Sequence, residues 1–226
     1  MNYLLANPEI VWELLQRHMY MVGVAVGLGL LIALPLGLLV NRFRWLAVPV
    51  LGTLGALYTI PSLALIILLL PIFGLNATSV IVALVIYVQI ILVRNVVAGL
   101  QAINPAILEA ARGMGMNGWQ RWWRVQLPLA LPIVLAGVRI AAVVAIGIAA
   151  IGAKFGAGGL GTLLFDGIAQ NRFDKIAAGS LVLAGLALLL SLALLGLERL
   201  FDPQARVARA ARTQPVACSE TPEPTF

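Results

Sequence analysis

Apolar residues run along this chain in five blocks, near 19 to 40, 46 to 70, 77 to 100, 129 to 151 and 176 to 197, separated by short connections. Each block supplies the ~20 helical residues needed to cross a hydrocarbon core of ~30 Å. The pattern predicts five transmembrane helices in an all-α membrane protein. Ahead of the first block, Asn7-Pro8-Glu9 reads as a helix start, and Val11, Trp12, Leu15 and Met19 share one face. Residues 1 to 18 are therefore expected to form an N-terminal segment along the membrane interface. Glu9, Glu13 and Arg17 do not make a basic leader and no small-residue cleavage site follows, so the first block is expected to stay in the mature chain. The transmembrane unit spans 19 to 202, and from 203 to 226 a stretch rich in Ala, Arg, Pro, Glu and Thr reads as a disordered tail.

Within the blocks, three interruptions carry information. Gly29, Ala33 and Gly37 recur at every fourth position, with a second pair at Gly23 and Gly27. Such stripes let helices approach closely, either inside one bundle or between subunits. The second block is broken at Thr59-Ile60-Pro61-Ser62, where proline removes a donor and frees the Leu57 carbonyl at mid-membrane. Freed backbone is tolerated there only when buried in protein or facing a wet cavity. Tyr58, Thr59, Pro61 and Ser62, with Tyr87 and Gln89 on the next block, are candidate lining for a solute path; a kink satisfied by neighbouring helices is the alternative. Arg139 lies inside the fourth block, where a charge either meets a cavity or partner or snorkels to the surface.

Composition agrees with the pattern: 62% of residues are hydrophobic and 11% charged, and the mean hydropathy is +1.01. The net charge of +6 does not point to nucleic acid, because the arginines cluster in alternate connections. Arg42 and Arg44 follow the first block, Arg94, Arg112, Arg121 and Arg124 surround the third connection, and Arg199, Arg206, Arg209 and Arg212 follow the last. The positive-inside bias then places the N-terminus outside and the C-terminus in the cytoplasm. A single cysteine, Cys218, excludes an internal disulfide framework and a cysteine-based metal site.

Several chemistries are missing. Neither lysine, Lys154 or Lys175, follows a glycine as a phosphate-binding Walker loop requires. His18 is the only histidine, and no nucleophile triad or paired carboxylates appear, so no enzyme site emerges. An ion-coupled transporter places acids within its spans, yet none occurs between Glu13 and Glu109. GAGGLG at 156 to 161 matches a dinucleotide fingerprint letter for letter, but it follows a membrane span rather than a strand. It reads instead as a tight turn before a short helix near 160 to 170.

The polar stretch EAARGMGMNGWQRWWRVQLP, 109 to 128, stands between two spans. Asn104 caps and Pro105 opens a helix with a small-residue face of Ala106, Ala110 and Gly113, and Glu109 can pair with Arg112. Gly113 and Gly115 end it; Asn117 and Gln120 resemble a capping box for a second short helix through Trp119, Trp122 and Trp123. Those tryptophans, with Arg121 and Arg124, suit the headgroup level, so an interfacial anchor is one reading.

The stretch also resembles the EAA signature of ABC-importer permeases. Glu109, Ala110, Ala111, Gly115, Leu127 and Pro128 fall at its spacing, with Val125 in the isoleucine place. Over about 19 to 200 the segments IPSLALIILLLPIFGL, EAARGMGMNGW and FGAGGLG resemble osmoprotectant permeases, the subfamily resting mainly on IPSLA at 60 to 64. The resemblance implies the small type I importer permease fold, with a coupling-helix loop that docks on a separate ATPase subunit. It further implies a multi-pass subunit of a bacterial inner membrane, two ATPase copies that bind the ATP, a second permease chain, identical or homologous, and an extracytoplasmic solute-binding protein. No cofactor, metal or catalytic residue is implied in this chain. The expected cargo is a quaternary ammonium solute such as glycine betaine, carnitine or choline. The alternatives are a permease for methionine or another amino acid and, in a different class, a non-transporting anchor subunit.

Overall fold

A computed structural model describes residues 2 to 201; the expected tail at 203 to 226, with Cys218, lies outside the described residues. A short helix α1, Asn2–Ala6, precedes α2, Pro8–Arg42, in which Pro8 stands in the first turn and Glu9 faces the positive end of the helix dipole. Because α2 is continuous, the expected interfacial segment has no boundary at residue 18; residues 8 to 18 are the opening turns of the first crossing helix. At ~1.5 Å per residue its 35 residues outreach the hydrocarbon core, so part of it projects beyond. A single 3₁₀ turn, Arg44–Leu46, leads into α3, Ala47–Thr59, and α4, Ser62–Phe73, which meet at 94°. Then come α5, Ala77–Gln101; α6, Pro105–Gly113; α7, Gly118–Arg121; α8, Leu127–Gly152; α9, Gly161–Ala169; and α10, Phe173–Phe201.

α5 is the centre. Its most apolar window is 61% buried, against 0% for that of α10, which lies at the edge of this bundle. α2, α3, α4 and α8 all pack on α5, and α10 packs on α8 and α9. In lipid, apolar surfaces gain little from meeting one another, so close approach and van der Waals contact hold the helices together. The stripe on α2 does this within the chain. A β-carbon on Gly29 would lie 2.6 Å from Val88 Cγ2, and one on Gly37 would lie 2.5 Å from Val96 Cγ1. Gly23 and Gly27 have nothing within 4 Å, so only the first stripe is used here.

These contacts fix direction. Gly29 meets Val88 and Gly37 meets Val96, so α2 and α5 run parallel. Gly99 meets Ala130, Gly137 meets Asn95 and Gly152 meets Val80, so α8 runs antiparallel to both. Glu198, near the end of α10, reaches Arg139 in the first half of α8, which aligns α10 with α2. One cavity at the starting end joins Gln16, Arg17 and Tyr20 of α2 to Ala77 of α5 and Gly156. A second, at the other end, joins Leu38 and Arg42 of α2 to Arg112 and Trp119 beyond α5. The chain thus leaves α2 at one end and enters α5 at the other, which makes the bent α3–α4 pair a broken span. With it, the described residues cross the bundle five times.

The GAGGLG segment joins helix to helix, with Gly156, Gly158 and Gly159 all at positive φ, and α9 follows where a short helix was expected. It folds back on α2: β-carbons at Gly158 and Gly159 would meet Arg17 and His18. His18 is itself fully buried, and its Nε2–H donates to the Ile146 carbonyl of α8 at 3.2 Å.

Candidate functional site

The α6–α7 loop is built by capping. Asn104 Oδ1 accepts from the Ala106 N–H at 3.0 Å, and Pro105 occupies the first turn, where a missing N–H costs nothing. At the other end the Met116 N–H donates to the Ala111 carbonyl at 3.2 Å and the Gly115 N–H to the Arg112 carbonyl at 2.9 Å. This nested pair is a Schellman cap, and Gly115, at φ 75°, is its left-handed residue. A β-carbon on Gly115 would meet nothing within 4 Å, so backbone conformation and not space requires glycine there.

Asn117 and Gln120 then form the expected capping box, with bonds of 2.8 Å and 3.0 Å. The second helix differs from expectation. After α7 the chain passes through a π-turn, Trp122–Gln126, straight into α8, so the helix through Trp119, Trp122 and Trp123 is the start of a long one and not a separate short one. Proline in the first turn of α8 is compatible with this continuity. Trp119 and Trp123, four residues apart, stack edge to face at 5.5 Å.

The signature residues divide by exposure. Glu109, Ala110, Gly115 and Pro128 are exposed, Leu127 and Val125 half-buried, and Ala111 fully buried. Glu109 makes no ion pair with Arg112, contrary to expectation. Both point to solvent on a nine-residue helix, where an exposed i,i+3 pair is worth only ~0.2–0.5 kcal/mol. Their charges stay available to other groups.

At the bend, the structure brings together Tyr58, Thr59, Pro61, Ser62 and Tyr87. Tyr58 and Tyr87 pack edge to face at 5.5 Å, and the Tyr87 hydroxyl donates to the Ile60 carbonyl. The Leu57 carbonyl is not left free: the Ile60 N–H donates to it at 3.3 Å, closing α3 with a tight turn. Proline therefore transfers the need for a donor from Leu57 to Ile60, and Tyr87 meets it. Thr59 Oγ1 donates back to the Ala56 carbonyl at 2.7 Å.

Gln89 and Arg139 lie apart from this group. Two residues beyond Tyr87, Gln89 faces away from the bend and is buried against α2, donating to the Gly29 carbonyl at 3.1 Å. Arg139 Nε sits 3.4 Å from Glu198 Oε2, a cross-helix ion pair. The sequence left a cavity, a partner and snorkelling open for Arg139; Glu198, an acid at the end of an apolar block, was the available signal for the partner. Among the described residues no group of three or more His, Cys, Asp or Glu side chains could hold a metal.

Comparison with known proteins supports the same architecture. The osmoprotectant import permease protein OsmW of Salmonella typhimurium is 40% identical over 90% of this chain and 97% of its own length. The glycine betaine/carnitine/choline transport system permease protein OpuCB of Bacillus subtilis is 33% identical over 90% of this chain and 94% of its own. The inward-facing MetNI methionine ABC transporter superposes with a TM-score of 0.74 at 24% identity, covering 85% of this chain and 96% of that one, which establishes the fold. Residues 25–207 match the family model of the binding-protein-dependent transport system inner membrane component, and the chain belongs to that family.

Proposed function

We propose that this chain forms the translocation path of an ATP-driven importer for quaternary ammonium osmoprotectants: glycine betaine, carnitine or choline. As a binding-protein-dependent permease it is a multi-pass inner-membrane subunit, not an enzyme, and it works with a solute-binding protein and an ATPase that binds the ATP. The substrate reading is carried by likeness along nearly the whole chain to OsmW, named for osmoprotectant import, and to OpuCB, whose name specifies the three solutes. The methionine alternative has a shared fold in its favour and no more. A non-transporting anchor does not fit membership of a permease family.

In this reading the α6–α7 loop docks on the ATPase, with exposed Glu109, Ala110, Gly115 and Pro128 on the coupling side and Ala111 and Leu127 holding the loop against the bundle. Two ATPase copies and a second permease, identical or homologous, complete the assembly. Arg42, Arg112 and Arg121 gather at one end of the bundle, which supports placing that end in the cytoplasm and the N-terminus outside. The bend at Pro61, with Tyr58, Thr59, Ser62 and Tyr87, is the stretch of path to which this chain contributes polar groups. Copurification of an ATPase with the chain tests the docking role. Calorimetry of the cognate capture protein tests the cargo: binding of methionine and of none of the three quaternary amines transfers the substrate to the alternative.

A further inference from the structure

The last turn of α2 and the α6–α7 loop flank an open cavity of about 540 Å³ at the arginine-rich end of the bundle. Arg42 enters it from α2, and Arg112 and Arg121 from a part of the chain about seventy residues later. Among the described residues no carboxylate lines it and none of the three arginines is ion-paired. Arg42 also lies over the Phe43 ring, 5.6 Å from its centroid, which leaves its charge unneutralised. Three like charges around one hollow repel each other unless an anion lies among them.

We propose that this cavity binds the phosphodiester headgroup of an anionic lipid. Guanidinium groups present paired N–H donors that match phosphate oxygens in a bidentate fork. Asn41 and Gln126 add neutral hydrogen-bonding groups to the lining. Trp119 and Trp122 line the same hollow, and indoles favour the headgroup layer, where an apolar ring and a polar N–H are both accommodated. Leu38 and Arg42 belong to the final turns of a membrane-crossing helix, and the orientation proposed above, on which this inference rests, sets the cavity at the cytoplasmic headgroup level. Basic pockets between helices on the cytoplasmic side are suited to such headgroups. An acidic segment of the ATPase is the competing occupant; α2's share of the lining favours lipid.

The test uses the purified permease–ATPase complex, delipidated and resupplied with phosphatidylglycerol or phosphatidylcholine, with binding followed by native mass spectrometry. The expected result is one tightly held phosphatidylglycerol per permease chain, preferred over phosphatidylcholine and weakened by salt. Each basic side chain near an anionic surface is worth about a fivefold effect, so R42Q/R112Q/R121Q is expected to weaken binding on the order of 100-fold. Arg112 and Arg121 flank the docking loop, so R42Q alone serves if the triple variant fails to assemble, with about fivefold weakening expected. Unchanged phosphatidylglycerol affinity in R42Q overturns the proposal. So does displacement of the lipid by equimolar inorganic phosphate, which assigns the site to free anions. Loss of ATPase from R42Q with lipid binding intact assigns the cavity to the ATPase instead.

Discussion

Replacing Gly115 with alanine adds one methyl group and should still damage docking. At φ 75° an alanine is held in the left-handed region, at a cost of about 1–2 kcal/mol for an L-residue. The free loop sheds that strain by leaving the conformation, which opens the cap at the expense of the bonds to the Ala111 and Arg112 carbonyls, each worth about 0.5–1.5 kcal/mol net. If the ATPase recognises the capped loop, docking re-imposes the strain that the free loop has shed, and association is weakened by up to about 5- to 30-fold. Asparagine visits the left-handed region more readily, so Gly115→Asn should recover part of the loss. Gly113 is the internal control: it is helical, with nothing within 4 Å, and alanine there should favour the helix by about 0.5–1 kcal/mol. The assay is the dissociation constant of the ATPase for the permease in lipid nanodiscs. Equal affinities for wild type and Gly115→Ala, or an asparagine variant worse than the alanine, would refute the backbone argument.

Glu109→Lys should leave the chain inserted but uncouple it, since it reverses an exposed charge at the proposed contact; unchanged ATPase copurification and uptake would count against that role. Gly37→Leu should destabilise the bundle by about 1–3 kcal/mol through overpacking on Val96, while Gly23→Leu, facing open space, should be nearly neutral in thermal unfolding in detergent. Arg139 and Glu198 should be coupled by about 0.5–3 kcal/mol in a double-mutant cycle of Arg139→Gln and Glu198→Gln read by thermal stability; strict additivity would mean the pair is incidental.

Span number and loop caps were legible because both are written locally. Runs of apolar residues mark the crossings, and Asn104-Pro105, Gly115 and Asn117 with Gln120 mark helix ends by chemistry that acts within a few residues. What escaped depended on distance along the chain. Tyr87 meets the Ile60 carbonyl, 27 residues away, and Gln89 the Gly29 carbonyl, 60 residues away. Two polar residues on one span therefore looked like one lining and turned out to face different neighbours. The 94° bend was likewise hidden, because a proline announces a break but not its angle. The continuity of α2 through residue 18 was hidden for another reason. A long helix that overhangs the hydrocarbon core has the same amphipathic opening turns as a separate interfacial helix.

Uptake into proteoliposomes tests the central claim most directly. Vesicles would carry this permease, its partner permease if distinct and the ATPase, with ATP on the ATPase side and the capture protein added opposite. Labelled glycine betaine, carnitine and choline are each offered. Uptake is expected to be negligible without the capture protein and to become saturable, ATP-dependent accumulation of at least one of the three with it. Accumulation without the capture protein would place selectivity in the spans. Transport of none of the three, in vesicles where capture protein and ATP drive methionine uptake, would contradict the assigned cargo.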